Sequence, residues 1–308
     1  MTKRRFIRQI VFPLLAAFIW GTAFVAQRRA SELLPHAAFT ALRSAVAVAV
    51  LAPAGLLFRH ASAHRGKTPK TNDLRALFTG GTLMGLTLAV AANLQQAGIA
   101  VTSIGKAGFI SASYVVLTPV LGLFLKKPVR PLVWCGVALS AVGLYLLCLK
   151  PGESLLRSVA PADLYLIGCA FFYAVQIHII DKYVERADGI LLAAVQFAVT
   201  SVISFVLSFC FETVEWSNLA LCVGPLLYVG VISSGLAYAL QILAQEGSNP
   251  TVVTLLFSLE SVFSVLAGAV MLHETLSARE ASGCALTFAA VVLAQLPEGK
   301  IRSRMKKE

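Results

Sequence analysis

Three charged side chains fall inside long apolar stretches of the chain. Glu260, Lys106 and Arg43 are each flanked mainly by aliphatic and small residues. A charged group at the centre of a lipid-embedded helix costs about 2.5 to 3.5 kcal/mol on insertion scales, so such residues usually mark a pathway or a paired site. These three residues are therefore the first candidates for chemistry.

Each of the three charges has a functional and a structural interpretation. The Glu260 carboxylate can bind a cationic group, take up a proton or pair with a neighbouring side chain. The Lys106 ammonium can attract an anionic ligand, or its stem can extend to the membrane interface. Arg43 lies nearer an end of its apolar stretch, which favours a role in helix packing or in balancing Glu260.

Uncharged polar residues recur at helical spacing in similar stretches. Asn93 is followed by Gln96, and Tyr173 by Gln176, each three residues later. Amides in hydrocarbon must find hydrogen-bond partners, so these faces should point inward. Interhelical hydrogen bonds contribute only about 0.6 kcal/mol on average, so bonding between helices is a weak reason for so many. The pattern favours a polar cavity.

Further residues join this set on the same grounds. Tyr238 and Gln241 share a helical face, and Trp20 with Phe24 forms a stripe that suits either an apolar part of a ligand or ordinary core. His178 is a proton carrier or, alternatively, a hydrogen-bonded packing residue. The residues predicted to line the cavity are Trp20, Asn93, Gln96, Lys106, Tyr114, Tyr173, Gln176, His178, Tyr238, Gln241 and Glu260.

The composition indicates whether lipid or water surrounds most of the chain. Of 308 residues, 57% are hydrophobic and only 13% are charged, which is too apolar for a water-soluble globule. The net charge of +11 comes from short basic clusters between apolar runs, without a basic amphipathic face, so nucleic acid is not an expected partner. The lipid bilayer is the expected environment.

The apolar runs predict an all-α membrane protein with ten spans, because a helix needs about 20 apolar residues to cross the hydrocarbon. The predicted spans are residues 10–28, 36–58, 74–97, 102–125, 130–149, 162–181, 189–211, 219–245, 250–272 and 278–296. Lys and Arg concentrate in alternate connections, which places both termini in the cytoplasm and the protein in the inner membrane. A cleaved signal peptide is the alternative for the first span.

The two halves of the sequence resemble each other at nearly constant offsets. An offset of 153 matches residues 39–43 with 192–196, an offset of 148 matches Asn93 with Gln241, and an offset of 147 matches Gly136 with Gly283. We therefore predict two five-helix repeats, residues 1–149 and 150–308, the second with a short basic tail. A repeat with an odd number of spans must be inverted relative to its partner, with a ligand site near the midplane.

Several short segments of the chain resemble the EamA family of the drug/metabolite transporter superfamily, and together they cover essentially its whole length. They are residues 18–24 (Phe-Ile-Trp-Gly-Thr-Ala-Phe), 41–43 (Ala-Leu-Arg), 103–109 through 117–119, and 259–261 through 273–274 before Gly283. Two features depart from the family pattern. Ser261 stands where the family usually places proline, and the fourth connection has no acidic residue matching Glu274.

The resemblance implies a ten-helix basket with a central cavity lined by the first, third, fourth, sixth, eighth and ninth spans. Small polar metabolites, amino acids among them, are the usual cargo of relatives. The expected function is therefore secondary transport of a small-molecule substrate by alternating access, with export as the expected direction. Proton coupling through Glu260 is one mechanism that the sequence permits.

A passive facilitator or channel and a membrane-embedded enzyme are the alternatives to a secondary transporter. A passive facilitator or channel would share the repeat and the cavity and stays open as an alternative. A membrane-embedded enzyme is disfavoured because the sequence has no HExxH or GxSxG motif and no paired intramembrane carboxylates. The six cysteines and five histidines lack metal-ligand spacing, so no cofactor or metal is expected. The sequence leaves the oligomeric state open.

Overall fold

The computed structural model describes residues 6–64, 73–102, 104–127, 129–148, 161–271 and 277–296. All the regular structure in these segments is helical, and it forms ten rods. In chain order they are α1 (Ile7–Ser31), α2 (His36–His64), α3 (Leu74–Val101), α4 (Ile104–Ala112 and Tyr114–Phe124), α5 (Pro131–Cys148), α6 (Pro161–Tyr183), α7 (Gly189–Phe211), α8 (Trp216–Gln245), α9 (Pro250–Phe257 and Leu259–Met271) and α10 (Ala278–Gln295).

The ten rods correspond to the ten predicted spans, and the prediction of an all-α membrane fold is confirmed. Eight of the rods in the described segments are long and apolar enough to cross a bilayer; α5 is shorter, and α10 begins with a charged turn. Most ends agree with the predictions within three residues, and α2 is the main exception because it continues to His64 through a polar final turn.

Polar side chains at the connections fix where several helices begin. The Asp73 carboxylate accepts a hydrogen bond from the Ala76 N–H at 3.0 Å, and Asp188 accepts one from the Ile190 N–H at 2.9 Å. Ser277 forms a capping box at the start of α10. Such caps satisfy the free N–H groups of a first turn, which matters most where lipid replaces water.

Contacts between the connections show which helix ends lie together. Arg8, in the first turns of α1, forms an ion pair with Glu246 at the end of α8, with a distance of 2.8 Å. Lys127, after α4, forms an ion pair with Asp181 near the end of α6. These four residues define one end of the bundle, which we call the basic end.

The opposite end is fixed in the same way. Glu212, after α7, accepts hydrogen bonds from the Ala37 and Ala38 N–H groups at the start of α2, both at 2.9 Å. Arg28, near the end of α1, donates to the Ile99 carbonyl near the end of α3. Since α1 runs away from the basic end and α6 runs toward it, the second set of five helices is inverted relative to the first.

The end of α10 lies beside the start of α5, where the Arg130 guanidinium donates to the Ala294 carbonyl at 3.3 Å. The start of α5 follows Lys127 closely, so the start of α1 and the end of α10 share the basic end. This matches an even number of spans. That the basic end faces the cytoplasm stays a prediction from the charge distribution.

The helix contacts repeat between the two halves. The second helices of each half, α2 and α7, pack together, as do the fifth helices, α5 and α10. The contacts of α3 with α6 and α7 are repeated by those of α8 with α1 and α2. The most extensive contacts between the halves thus have inverted counterparts, which is what a two-fold axis in the membrane plane produces.

Two glycine contacts show this symmetry at atomic detail. A Cβ on Gly85 in α3 would lie 2.7 Å from the Gln196 carbonyl oxygen of α7. A Cβ on Gly230 in α8 would lie 3.2 Å from the Arg43 carbonyl oxygen of α2. Arg43 and Gln196 are related by the offset of 153 found in the sequence, so the two close approaches use equivalent carbonyls, although the two glycines are one helical turn out of register.

Three helices that face the centre are irregular. Ser113 interrupts α4, and Ser258 interrupts α9 about halfway along its described length. In α8, the wider π-helical turns of Tyr228–Ala237 separate two α-helical segments. Irregular backbone at membrane depth is tolerated only where protein or a cavity satisfies its polar groups, and π-helical turns recur at functional sites. These irregularities therefore mark the region to search for a site.

Gly21 provides a test of the close packing between α1 and α9. A Cβ at this position would lie 2.5 Å from the Glu260 carbonyl oxygen and 2.7 Å from the Phe263 Cβ. We expect Gly21→Ala to destabilise the protein by about 1 to 3 kcal/mol, measured by thermal unfolding in detergent. Neither contacting atom can move away without a shift of the α9 backbone.

The matched control is Gly224→Ala in α8, where an added Cβ meets nothing within 4 Å. This variant should be as stable as the unmodified protein or slightly more stable, because alanine favours a helix over glycine. Equal stability of the two variants would contradict the close approach of α1 to α9.

Candidate functional site

A central pocket lies where helices of both halves meet. It is lined by Trp20, Phe24, Gln27, Arg43, Gln95, Tyr114, Tyr173, Ile177, Ser233, Tyr238, Gln241 and Glu260. The cavity volume is about 40 Å³. One buried water needs about 10 to 15 Å³ on this measure, so the pocket in this conformation has room for two or three waters and must widen to hold a metabolite.

The interruptions in α4 and α9 place an acid and a phenol side by side. Glu260 lies two residues after the break at Ser258, and Tyr114 directly follows the break at Ser113. The Tyr114 side chain lies beside the Glu260 carboxylate in the pocket wall. Ser258 is held by the Ser140 hydroxyl of α5 at 3.1 Å. The acid belongs to the second half, and the side chains that hold its surroundings in place, Tyr114 and Ser140, belong to the first.

Arg43 supplies the opposite charge from α2. Only 4% of its surface is exposed, and its guanidinium lines the central pocket together with Glu260, whose exposed fraction is 6%. No ion pair within 4 Å joins these two residues, both of which are described. The Arg43 Nη1 donates instead to the Gln27 Oε1, at 3.5 Å. The pocket thus holds two unlike charges that do not neutralise each other directly.

Aromatic side chains form the apolar part of the wall. Trp20 packs edge-on against Tyr238, with ring centroids 5.1 Å apart, and against Phe257 at 5.2 Å. Tyr114 packs similarly against Tyr173 at 6.1 Å. Rings in such a cluster provide a rigid surface for an apolar group and an electron-rich face for a cation.

A short chain of hydrogen bonds connects the two halves across the pocket. The Tyr173 hydroxyl donates to the Gln95 Oε1 at 2.9 Å, and the Tyr238 hydroxyl lies 3.4 Å from that of Tyr173. Gln95 was not among the residues predicted to line the cavity, and Arg43 was a candidate predicted to pack helices or to balance Glu260. The signal for both was the cost of burying a polar group in hydrocarbon, but spacing alone did not show that they face the centre.

Several buried polar atoms in the pocket lack partners. Trp20 Nε1, Arg43 Nε and Gln241 Oε1 have no hydrogen-bond partner among the described residues. An unpaired buried donor or acceptor costs about 1 to 3 kcal/mol. Two donors and one acceptor that converge on one cavity indicate that a polar ligand completes the site.

Six of the predicted cavity residues line the central pocket. They are Trp20, Tyr114, Tyr173, Tyr238, Gln241 and Glu260. The Lys106 side chain lies outside the described part of the structure, so its role stays a prediction. Arg43, interpreted from sequence as a packing residue near an interface, instead lies in the pocket wall.

Four predicted residues lie away from the central pocket and bond to other helices. The amides of Asn93 and Gln176 donate to Ser204 Oγ and Gln196 Oε1, at 2.8 and 2.9 Å respectively. Two more contacts complete the group. Gln96 donates to the Gln27 carbonyl at 3.0 Å, and the His178 Nε2 lies 2.9 Å from the Thr118 carbonyl oxygen. One polar atom of each is used in helix packing, which was the alternative that sequence reasoning gave, and the other hydrogen-bonding atom of each has no partner among the described residues.

Comparisons with known proteins give matches over nearly the whole chain. The model of the EamA-like transporter family matches residues 7–149 and 160–296. An uncharacterized transporter of Archaeoglobus fulgidus is 26% identical over 285 residues, covering 92% of this chain and 84% of the relative. A protein of known crystal structure superposes with a TM-score of 0.73 at 19% identity, over 93% of this chain and 96% of the other. This last likeness concerns the fold.

Solvent access to the pocket can be tested by thiol labelling. In a cysteine-free background, Ser233→Cys in the pocket should react with a small charged methanethiosulfonate, because the polar lining of the pocket should be hydrated. Leu221→Cys is the control, since Leu221 is 67% exposed on the apolar outer surface of the same helix and should face lipid. We expect labelling at least about tenfold faster at position 233. Equally slow labelling at both positions would contradict a wet pocket.

Proposed function

The chain belongs to the EamA-like transporter family, and from that membership we propose that it exports a small zwitterionic metabolite, such as an amino acid, by alternating access. Membership makes it a membrane transporter of small solutes. The observation that carries the substrate proposal is the presence of Arg43 and Glu260 in one pocket without an ion pair between them.

Two separated unlike charges are complementary to a zwitterion. The Arg43 guanidinium suits a carboxylate, with Nε free to donate. The Glu260 carboxylate, beside the Tyr114 hydroxyl, suits an ammonium group. Hydrogen bonds to charged groups contribute about 1.5 to 3 kcal/mol each, so the pair supplies about 3 to 6 kcal/mol, enough for dissociation constants from about 6 mM to about 40 μM. The aromatic wall around Trp20 suits an apolar substituent between the two ends.

Alternating access follows from the contacts that close the two ends. At the basic end, Arg8 with Glu246 and Lys127 with Asp181 connect the halves. At the opposite end, Glu212 connects α7 to α2. With both sets of contacts intact, the pocket has a volume of about 40 Å³, and we propose this conformation as the narrow state of the cycle. We propose that the repeats 1–149 and 150–308 rock about this pocket, releasing one closure at a time.

Export is the proposed direction because a proton and the ammonium group of a substrate compete for the single negative charge of Glu260. A proton on Glu260 removes the negative charge that attracts the ammonium group of the substrate. Proton and substrate therefore exclude each other, which is the condition for exchange across the membrane. Under an inward proton gradient, such exchange moves the substrate out of the cell.

The charge-recognition proposal predicts the behaviour of two conservative variants. Arg43→Gln and Glu260→Gln should each lower the flux of radiolabelled amino acids from proteoliposomes at least about tenfold, because each removes one of the two charged contacts. Arg29→Gln and Glu32→Gln are matched controls, since both residues are exposed at the opposite end. Loss of flux in the controls as well, or wild-type flux in the pocket variants, would contradict the proposal.

The coupling proposal has a separate test. Efflux of preloaded substrate should accelerate when the external medium is made acidic, and this acceleration should disappear in Glu260→Gln. The measurement is the initial efflux rate with and without an imposed pH gradient. Efflux that ignores the gradient in the unmodified protein would replace exchange with passive facilitation.

A further inference from the structure

A second cavity lies at the basic end and shares no lining residue with the central pocket in the described segments. Its volume is about 330 Å³, within the range of small-molecule sites. The connection after α4 forms one wall with Lys126 and Lys127, α6 contributes His178, and the turn into α9 contributes Ser248 and Asn249. The proposed transport function does not use this cavity.

His178 gives this cavity a buried hydrogen-bond acceptor. Only 8% of the residue is exposed, and its Nε2 lies 2.9 Å from the Thr118 carbonyl oxygen. Since a carbonyl only accepts, Nε2 carries the hydrogen, and the neutral ring presents a lone pair at Nδ1. Nδ1 is buried and has no partner among the described residues. It therefore points to a ligand that donates a hydrogen bond.

The charges around the cavity favour an anion. Lys126 is exposed and has no ion-pair partner in the described part of the chain. The nearby carboxylates are engaged, Asp181 with Lys127, and Glu185 with the Gly247 N–H at 2.7 Å. Beyond these charges, the positive end of the α9 dipole faces the same region.

The turn before α9 adds another free group. The Ser248 Oγ is buried without a partner among the described residues, and the Asn249 side chain accepts from the Thr251 N–H at 3.0 Å. A hydroxyl can donate to an anionic oxygen. The cavity thus offers cationic and hydroxyl donors together with one acceptor.

We propose that this cavity is a binding site for a phosphate group that carries a proton, as in inorganic phosphate or a phosphate monoester. The anionic oxygens accept from the lysine ammonium groups and from Ser248, while the P–OH donates to His178 Nδ1. Because the cavity lies at an end of a membrane bundle, the phosphate can belong to a small solute or to a lipid headgroup such as phosphatidic acid. Both share the same P–OH chemistry.

The test is titration calorimetry of the purified full chain with inorganic phosphate and with sulfate at neutral pH. Hydrogen phosphate and sulfate have the same charge and shape, but sulfate carries no proton for Nδ1. We expect phosphate to bind at least about fivefold more tightly than sulfate. Equal affinity for the two ions, or no binding of phosphate, would overturn the proposal.

Two variants locate the site without disturbing the fold. Lys126 has a φ of 55°, a conformation that glycine adopts without strain, so Lys126→Gly removes the ammonium and should keep or raise thermal stability. His178→Gln retains a donor for the Thr118 carbonyl but removes the Nδ1 acceptor. The first variant should weaken phosphate binding about tenfold, and the second should lower it to the level of sulfate. Unchanged affinity in both would overturn the location.

Two further measurements separate the second cavity from the central pocket, and a lipid headgroup from a soluble phosphate compound. Arg43→Gln, in the central pocket, should bind phosphate like the unmodified protein, and loss of binding there would assign the ion to the transport site instead and overturn the proposal. Phosphatidic acid added to the micelles should compete with phosphate if the natural occupant is a lipid headgroup. Phosphate binding without this competition supports a soluble phosphate compound. Because the readout is binding rather than flux, failure here leaves the transport proposal unaffected.

Discussion

A charged side chain within a membrane bundle must be solvated by protein or by a ligand, since lipid solvates neither charge nor backbone. Arg43 and Glu260 meet this constraint only in part. Each has one weak or neutral protein partner, Gln27 and Tyr114 respectively, and neither uses the other. The pocket, the interrupted helices and the aromatic wall are arranged around this incomplete solvation. A ligand with both charges completes it.

The same constraint explains why the polar centre lies between the two halves. Helix packing in a bilayer depends on close approach of small residues rather than on hydrophobic burial. Gly85 and Gly230 provide equivalent approaches in the two repeats, so the halves meet through matching surfaces. An inverted pair with matching surfaces has two related conformations of similar energy. In the proposed alternating-access cycle, the charged pocket at their junction is exposed to each side in turn without crossing lipid.

The sequence predicted most of the fold and about half of the central site. Apolar length and cap residues such as Asp188 identify a span with small error, because both signals are local. The breaks at Ser113 and Ser258 were missed, since a serine within an apolar run does not by itself identify a break; in the structure each hydroxyl donates to the carbonyl three residues earlier, which bends the helix. Helical spacing showed that Gln176 shares a polar face, but not that the face packs against Gln196 instead of the pocket. Which face of a helix points inward is a property of the packed bundle.

A substrate-bound structure determined by electron cryomicroscopy tests the central claim most directly. The bound amino acid should place its carboxylate within hydrogen-bond distance of the Arg43 guanidinium and its ammonium group beside Glu260, with the side chain against Trp20. A direct ion pair between Arg43 and Glu260 in that structure, with the substrate bound elsewhere, would contradict the account.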